Sequence, residues 1–388
     1  MRILFVVHDF HPPNHLLQPR AYLYRLGLAA AGKGHSVTFL TNSSDVSELD
    51  GLSVVFVDDL SQRNSAQILA SIRTIAPDVI VWSTSYVHIL GNFRLLAALP
   101  APVFGFMACP SYSPSYLLRL IPSLGIGPLR YYFLNRLAQR IGVHRFLKKR
   151  IFTGVISQSR ANLRSLNDLP AHCRIHIPPG LEHGMWFPPP VQLSEEEGRM
   201  RSAPRRIIFF GPPRKSRGLD TVLHAFEKCS REHPAIELDV FLREGTDNQV
   251  KKVQDWLSSR RLNRQTRVTG GWTPPEELRR AIWEADIVVI PFLLSESDSP
   301  VSVLEAKACG RPVLSSTVAG IPELIGRGGA ALRSCTANAL AREISGLFAK
   351  PERLRQLTNH AIAETRTHPS WDISCDNFIS SLEKAIER

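Results

Sequence analysis

Residues 206–226 read RIIFFGPPRKSRGLDTVLHAF, and their order decides the architecture. An apolar run ends at Phe210, a Gly/Pro turn carries Arg214, Lys215 and Arg217, and helical periodicity sets in from about Leu219. A wholly apolar strand that turns straight into a helix is the building unit of a parallel sheet covered on both faces. The pattern repeats in both directions. Downstream, LDVFL, RVTG and IVVIPF are short apolar strands separated by helical stretches; upstream, strands are predicted over 2–7, 34–41, 78–82 and 102–107, with a helix over 19–32.

Between the two series lies HIPPGLEHGMWFPPP (176–190), whose five prolines and two glycines cannot continue a regular element. The polar LSEEEGRMRSAPRR that follows reads as a surface linker. A chain of 388 residues exceeds one comfortable core, so two domains are expected. The fold class is therefore α/β, with two doubly wound Rossmann-like domains over 1–178 and 179–370 facing a central cleft. A final helix over 371–388 is able to pack on either.

Charge placement is informative. Lys plus Arg number 47 against 35 acids, a net +12, and no acid at all occurs between Asp78 and Asp168, where eleven basic residues fall. Such asymmetry calls for an anionic partner. Within it, GPLRYYFLNRLAQRIGVHRFLKKR (127–150) interleaves apolar and basic residues at helical spacing, with Leu134, Leu137 and Ile141 on one face and Arg136, Arg140 and Lys148 on others. Residues 116–150 thus suit an anionic membrane surface, a solvated basic face being the plainer alternative. No groove-reading motif points to nucleic acid.

The six cysteines show no metal-binding spacing, which indicates free thiols in a reducing cytoplasm. The N-terminal apolar run is too short for a signal peptide, and four prolines interrupt the long uncharged stretch 95–118, so no membrane-spanning helix is expected. The setting predicted is cytoplasmic, with peripheral attachment to the inner membrane face.

In open α/β sheets ligands bind at the carboxyl ends of strands. Arg214, Lys215 and Arg217 stand in such a loop beside a helix start, where exposed amides and cations converge on a diphosphate. A second loop, SESDSPVSVLEAKACGRPV (295–313), follows the apolar IVVIPF. Ser299 is expected as the N-cap and Pro300 as the first helical residue, so that an anion would sit on the amides of Val301, Ser302 and Val303. Glu305, in the second turn, would accept hydrogen bonds from a vicinal diol such as a ribose. His8, His11 and His15 cluster in the first loop without metal-ligand spacing.

Taken together these residues resemble the retaining glycosyltransferases of the GT-B fold, family 4. PFLLSESDSPVSVLEAKACGRPVLSSTVAGIPELI is similar to that family's E-x7-E signature, and FFGPPRKSRGLD to its phosphate loop, with Arg217 where a lysine usually stands. HIPPGLEHGMWFPP is similar to its interdomain segment. The resemblance implies transfer of a sugar from a nucleotide-diphosphate sugar, used as co-substrate with no bound cofactor or metal, to a glycan or lipid-linked acceptor in cell-envelope or polysaccharide synthesis. It makes Glu305 the ribose ligand and Arg217 the partner of the departing diphosphate. Strict register puts Ser297 where the first glutamate belongs, so either flanking acid, Glu296 or Asp298, would reach the sugar hydroxyls, Asp298 being marginally favoured because it adjoins the helix start. Pro212 replaces the family arginine and the first loop lacks the family glycines. A non-catalytic nucleotide-sugar-binding or scaffold relative of the same fold and a sugar-nucleotide epimerase are the alternatives.

Overall fold

The computed structural model describes residues 1–12, 14–43, 47–190 and 205–387. It divides into two compact units, the first made of Met1–Gly180, Glu296–Ser299 and Pro369–Arg388, the second of Leu181–Ser295 and Pro300–His368. Most of the polar stretch expected as a linker, 193–204, lies outside the described residues.

The first unit is built on an eight-stranded sheet of β1 (Arg2–Val6), β2 (Ser36–Thr41), β3 (Glu48–Leu49), β4 (Leu52–Phe56), β5 (Val79–Ser83), β6 (Val103–Met107), β7 (Gly154–Ser157) and β8 (Arg174–His176). The order is β3-β4-β2-β1-β5-β6-β7-β8, parallel throughout except for the β3/β4 hairpin. β1 sits where the winding reverses, with Ile3 level with Val37 on one side and Val79 on the other. From Ile3 to Val6 its side chains are buried on both faces, as the uninterrupted apolar run demands. Phe5 stacks on Phe39 with ring centroids 5.1 Å apart and on Phe378 at 6.0 Å.

The helix Arg20–Gly32 lies close to β2 because Gly27 has no side chain, and a Cβ there would stand 3.0 Å from the Phe39 ring. It ends at Gly34, whose φ of 85° lets the amides of Gly34 and His35 reach back to Ala31 and Ala30. The last helix, Trp371–Ile386, belongs to this unit and buries Cys375, Phe378 and Leu382 in its core. Three completely buried side chains of this kind are each worth about 1.5–3 kcal/mol for the larger two and less for cysteine.

The second unit holds β9 (Arg206–Gly211), β10 (Glu237–Leu242), β11 (Thr266–Gly270), β12 (Ile287–Ile290), β13 (Val313–Ser316) and β14 (Gly329–Leu332) in the order β11-β10-β9-β12-β13-β14, all parallel. The winding reverses between β9 and β12, so the loops that leave these two strands are neighbours. The predicted strand-helix alternation is thus present in each unit. β3, β4, β7, β8, β13 and β14 were not read from the sequence.

The predicted helix at 127–150 is one helical run with a change of winding, α over Ile126–Leu137, π over Ala138–Val143 and α again over His144–Lys148. No helix among the described residues is long and apolar enough to cross a membrane.

Candidate functional site

In the second unit the chain leaves β9 at Gly211, makes a single 3-10 turn over Lys215–Arg217 and enters the helix Leu219–Glu232 through Gly218. Gly218 has φ 81°, and a Cβ on it would lie 2.1 Å from the carbonyl oxygen of Pro291, so only glycine fits. The Leu293 and Leu294 amides donate to the Ser216 carbonyl at 2.8 and 3.1 Å, which ties the loop after β12 to the loop after β9. Arg217 lies across the Phe292 ring, 4.7 Å from its centroid. The ring fixes the guanidinium near the start of a 14-residue helix, where the first amides have no intrahelical acceptor. Lys215 is exposed on the same turn, and Arg214 reaches Glu244 only at 3.9 Å. Cations and helix dipole together suit a diphosphate.

Glu305 sits half-buried in the short helix Ser302–Ala308. Two expectations for this helix are corrected. Ser299 is not its N-cap: coiling already begins at Pro300, because Val303 N donates to Pro300 O at 3.2 Å and Glu305 N to Val301 O at 2.9 Å. Val301 holds the cap position with no side-chain cap bond, and Ser299 falls in the first unit. For the same reason the Val303 amide is already engaged, which leaves Val301 and Ser302 as the amides to consider for an anion.

The helix is anchored from beneath by Lys307, a residue the sequence reading missed. Its side chain is 4% exposed, and its ammonium donates to Glu364 Oε2 and to Leu324 O, both at 2.7 Å. Burial lowers the Lys307 pKa despite this pairing. Burial alone would raise the Glu364 carboxyl, but the Lys307 ammonium and the Arg327 amide bring it below the usual 4.5. Exposure explains the different balances, since Glu364 keeps 26% of its side chain in water.

The segment Glu296–Ser299 belongs to the first unit. There Asp298 is completely buried, and its carboxylate accepts three hydrogen bonds: from Ser157 Oγ at 2.9 Å, Ser159 N at 2.8 Å and Ser159 Oγ at 2.8 Å. Its own amide donates to Ala108 O at 2.7 Å. The preference for Asp298 as the sugar-facing acid is therefore corrected: the side chain is buried and both of its oxygens are committed to the turn after β7. Ser297, at the register position of the missing glutamate, donates to Gln158 Oε1 at 3.1 Å. Glu296 is exposed and borders a cavity.

That cavity, about 420 Å³, opens in the first unit at the carboxyl ends of β1, β5 and β6, where the winding of its sheet reverses. Val7, Arg20, Phe106 and Tyr131 contribute to its walls. Of the loop histidines, His15 is packed against Tyr24 and Phe10 and His11 binds Asp9 at 3.1 Å, so neither faces it. His8 does, and so does His88, which the sequence reading passed over. The His88 ring is 6% exposed, and its Nδ1 lies 2.6 Å from Ser85 Oγ. Burial pushes its pKa down to about 3 and lowers that of His8, so both imidazoles are neutral at physiological pH.

On the 126–148 run, Ile126, Leu137 and Ile141 are 71%, 47% and 59% exposed, and Leu118 nearby in sequence is 56% exposed. Arg130, Arg140, Lys148 and Lys149 are exposed beside them in the chain. Arg136 is the exception: it turns inward and donates to Tyr112 O at 3.0 Å.

Residues 204–350 match the family described as glycosyl transferases group 1. The D-inositol 3-phosphate glycosyltransferase of Segniliparus rotundus is 28% identical over 214 residues, 54% of this chain and 46% of that one, so the chain spans about half the length of this curated relative. Sucrose-phosphate synthase from Thermosynechococcus elongatus has the same fold over 100% of this chain and 99% of its own, with a TM-score of 0.73 at 15% identity. HepE from Anabaena, solved in complex with UDP-glucose, superposes with a TM-score of 0.70 at 16% identity over 99% of this chain and 100% of its own.

Proposed function

We propose, from the match of residues 204–350 to the glycosyl transferases group 1, that the chain moves a sugar, with retention of configuration, from a nucleotide-diphosphate sugar to a glycan or lipid-linked acceptor. The observation that carries the reading is the junction of β9 with the helix Leu219–Glu232, where Gly218 admits the close backbone approach and Arg217 is held on Phe292. Lys215 and Arg217 meet the diphosphate, Arg214 adds charge at the rim, and the amides of Val301 and Ser302 take a phosphate oxygen. Glu305 accepts the ribose diol.

In the transfer the bond from the anomeric carbon to the diphosphate oxygen breaks, and its electron pair leaves with the nucleotide. The acceptor oxygen bonds to the same carbon and its proton passes to the leaving phosphate. Fixed cations and the helix dipole stabilise the charge that develops there, and no cofactor is consumed.

HepE's complex makes UDP the first nucleotide to try. Thermal unfolding is measured with UDP, GDP, ADP and their sugar conjugates, on the parent protein and on Glu305→Ala. A rise with one nucleotide at 100 times its Kd corresponds to about 2.7 kcal/mol, and the variant should lose most of it. No rise with any of them would refute the transferase reading and favour a relative that has lost donor binding.

The exposed apolar side chains of 118–141, interleaved with cations in a stretch free of acids, support a further part of the proposal. They rest on the anionic inner face of the cytoplasmic membrane, so that the enzyme acts as a cytoplasmic, peripherally bound protein on envelope or polysaccharide precursors.

A further inference from the structure

Within the transferase reading, we infer that the cavity of the first unit takes an uncharged polyhydroxyl group, a sugar ring or cyclitol carrying no phosphate, and that His88, oriented by Ser85, holds one of its hydroxyls. That this group belongs to the sugar acceptor rests on the proposed function; its chemistry is read from the cavity walls alone.

Consider first the charges. Among the described residues that line the cavity, the only cation is Arg20, against the two carboxylates Asp59 and Glu296. Arg20 is already engaged, its Nη2 on Asp9 Oδ2 at 3.0 Å and its Nε on His8 O at 2.9 Å. A phosphate entering here would meet two carboxylates and a single guanidinium already paired with Asp9, and like charges brought together in a recess are strongly disfavoured. The imidazoles do not reverse this, because burial keeps His8 and His88 neutral.

Consider next the polar anchor. His88 is fixed on three sides: its carbonyl accepts from Trp82 Nε1 and from Asn92 Nδ2, each at 3.2 Å, and its Nδ1 meets Ser85 Oγ at 2.6 Å. The remaining nitrogen, Nε2, is buried and has no protein partner. Leaving such a group unmatched costs about 1–3 kcal/mol, which a ligand hydroxyl recovers. A hydroxyl both donates and accepts, so it serves whichever tautomer Ser85 selects, whereas a phosphate oxygen only accepts. Phe106 and Tyr131 supply the apolar surface on which a sugar or cyclitol face packs.

The test uses the full-length protein and a panel of probes: myo-inositol and the methyl α-glycosides of glucose, galactose and mannose, each beside its phosphate monoester. Binding is read by saturation-transfer NMR with and without UDP, and turnover by release of UDP from UDP-sugars. At least one neutral member should bind, and its phosphate ester should bind at least tenfold more weakly. His88→Leu should weaken binding of the neutral probe about tenfold or more, His88→Gln should restore part of it, and Ser85→Ala should cost about threefold. Circular dichroism and the UDP-induced thermal shift of these variants should match the parent and so report that both units are folded. The inference is overturned if phosphate esters bind as well as neutral probes, if no neutral probe binds, or if His88→Leu binds like the parent. Absence of binding by UDP, GDP and ADP alike would strike the transferase reading instead, because the polyol measurement without nucleotide stands by itself.

Discussion

Replacing Glu364 by glutamine removes the carboxylate that faces the Lys307 ammonium two residues beyond Glu305. Breaking a fully buried ion pair from one side costs about 3–5 kcal/mol, because a charge is left without its counterpart. Glu364 is a quarter exposed, and Lys307 keeps its bond to Leu324 O, so the expected cost is smaller, about 2–3 kcal/mol. Lys307→Met removes the buried charge and leaves a carboxylate that water can reach, which should cost no more than about 1 kcal/mol; the double change Lys307→Met with Glu364→Leu should fall near the parent.

Urea unfolding followed by tryptophan fluorescence measures all three. The Glu364 pKa is depressed in the folded state, so its contribution is complete above the unfolded carboxyl pKa near 4.5 and is lost as pH falls through the lower folded value. The decline in stability of the parent below pH 4.5 should therefore be shallower in Glu364→Gln. If Glu364→Gln costs no more than Lys307→Met, the buried ammonium is not what anchors the helix bearing Glu305, and the reasoning fails.

Other consequences follow from single sites. Asp298→Asn places an amide among donors from Ser157 and Ser159 and should cost about 2 kcal/mol while leaving the UDP shift intact; Glu296→Gln should unfold like the parent yet turn over about 100-fold more slowly. The reverse pattern, with Asp298→Asn stable but inactive, would restore Asp298 to the sugar. Gly218→Ala, with its Cβ against Pro291 O, should cost about 3 kcal/mol, whereas Gly34→Ala, which has a similar φ and no atom within 4 Å, should cost about 1 kcal/mol; equal thermal shifts would deny the close approach. Ile126→Glu with Ile141→Glu should weaken flotation with vesicles containing anionic lipid at least tenfold, and unchanged flotation would refute the membrane proposal.

The architecture could be read because strands such as RIIFFG and IVVIPF are continuous apolar runs ended by glycine or proline, and burial on both faces is a local property of composition. The Arg217 loop was legible for the same reason, since strand, turn and helix start are contiguous. Asp298 was misjudged because its partners stand 139 to 141 residues away in sequence, where no spacing rule reaches. Ser299 looked like a cap because serine before proline usually is one, but the chain had begun to coil one residue later without it. His88 gave no signal at all. A histidine in a helical stretch is unremarkable until the fold brings Ser85, Trp82 and Asn92 around it. Lys307 was equally silent, a lone cation among Ala, Leu and Cys whose partner is 57 residues further on.

The first unit is assembled from three separate stretches of sequence, with the last helix filling its core beside Phe5. This sets an order of events on the ribosome. Residues 181–368 have been synthesised before the stretch carrying Phe378 and Leu382, so the sequence of the second unit is complete before that of the first although it starts later. The nascent N-terminal sheet must wait for that stretch with part of its apolar face uncovered. A stop codon after His368 would leave a protein whose defect lies at the opposite end of the chain from the lesion, in the sheet that begins at Arg2.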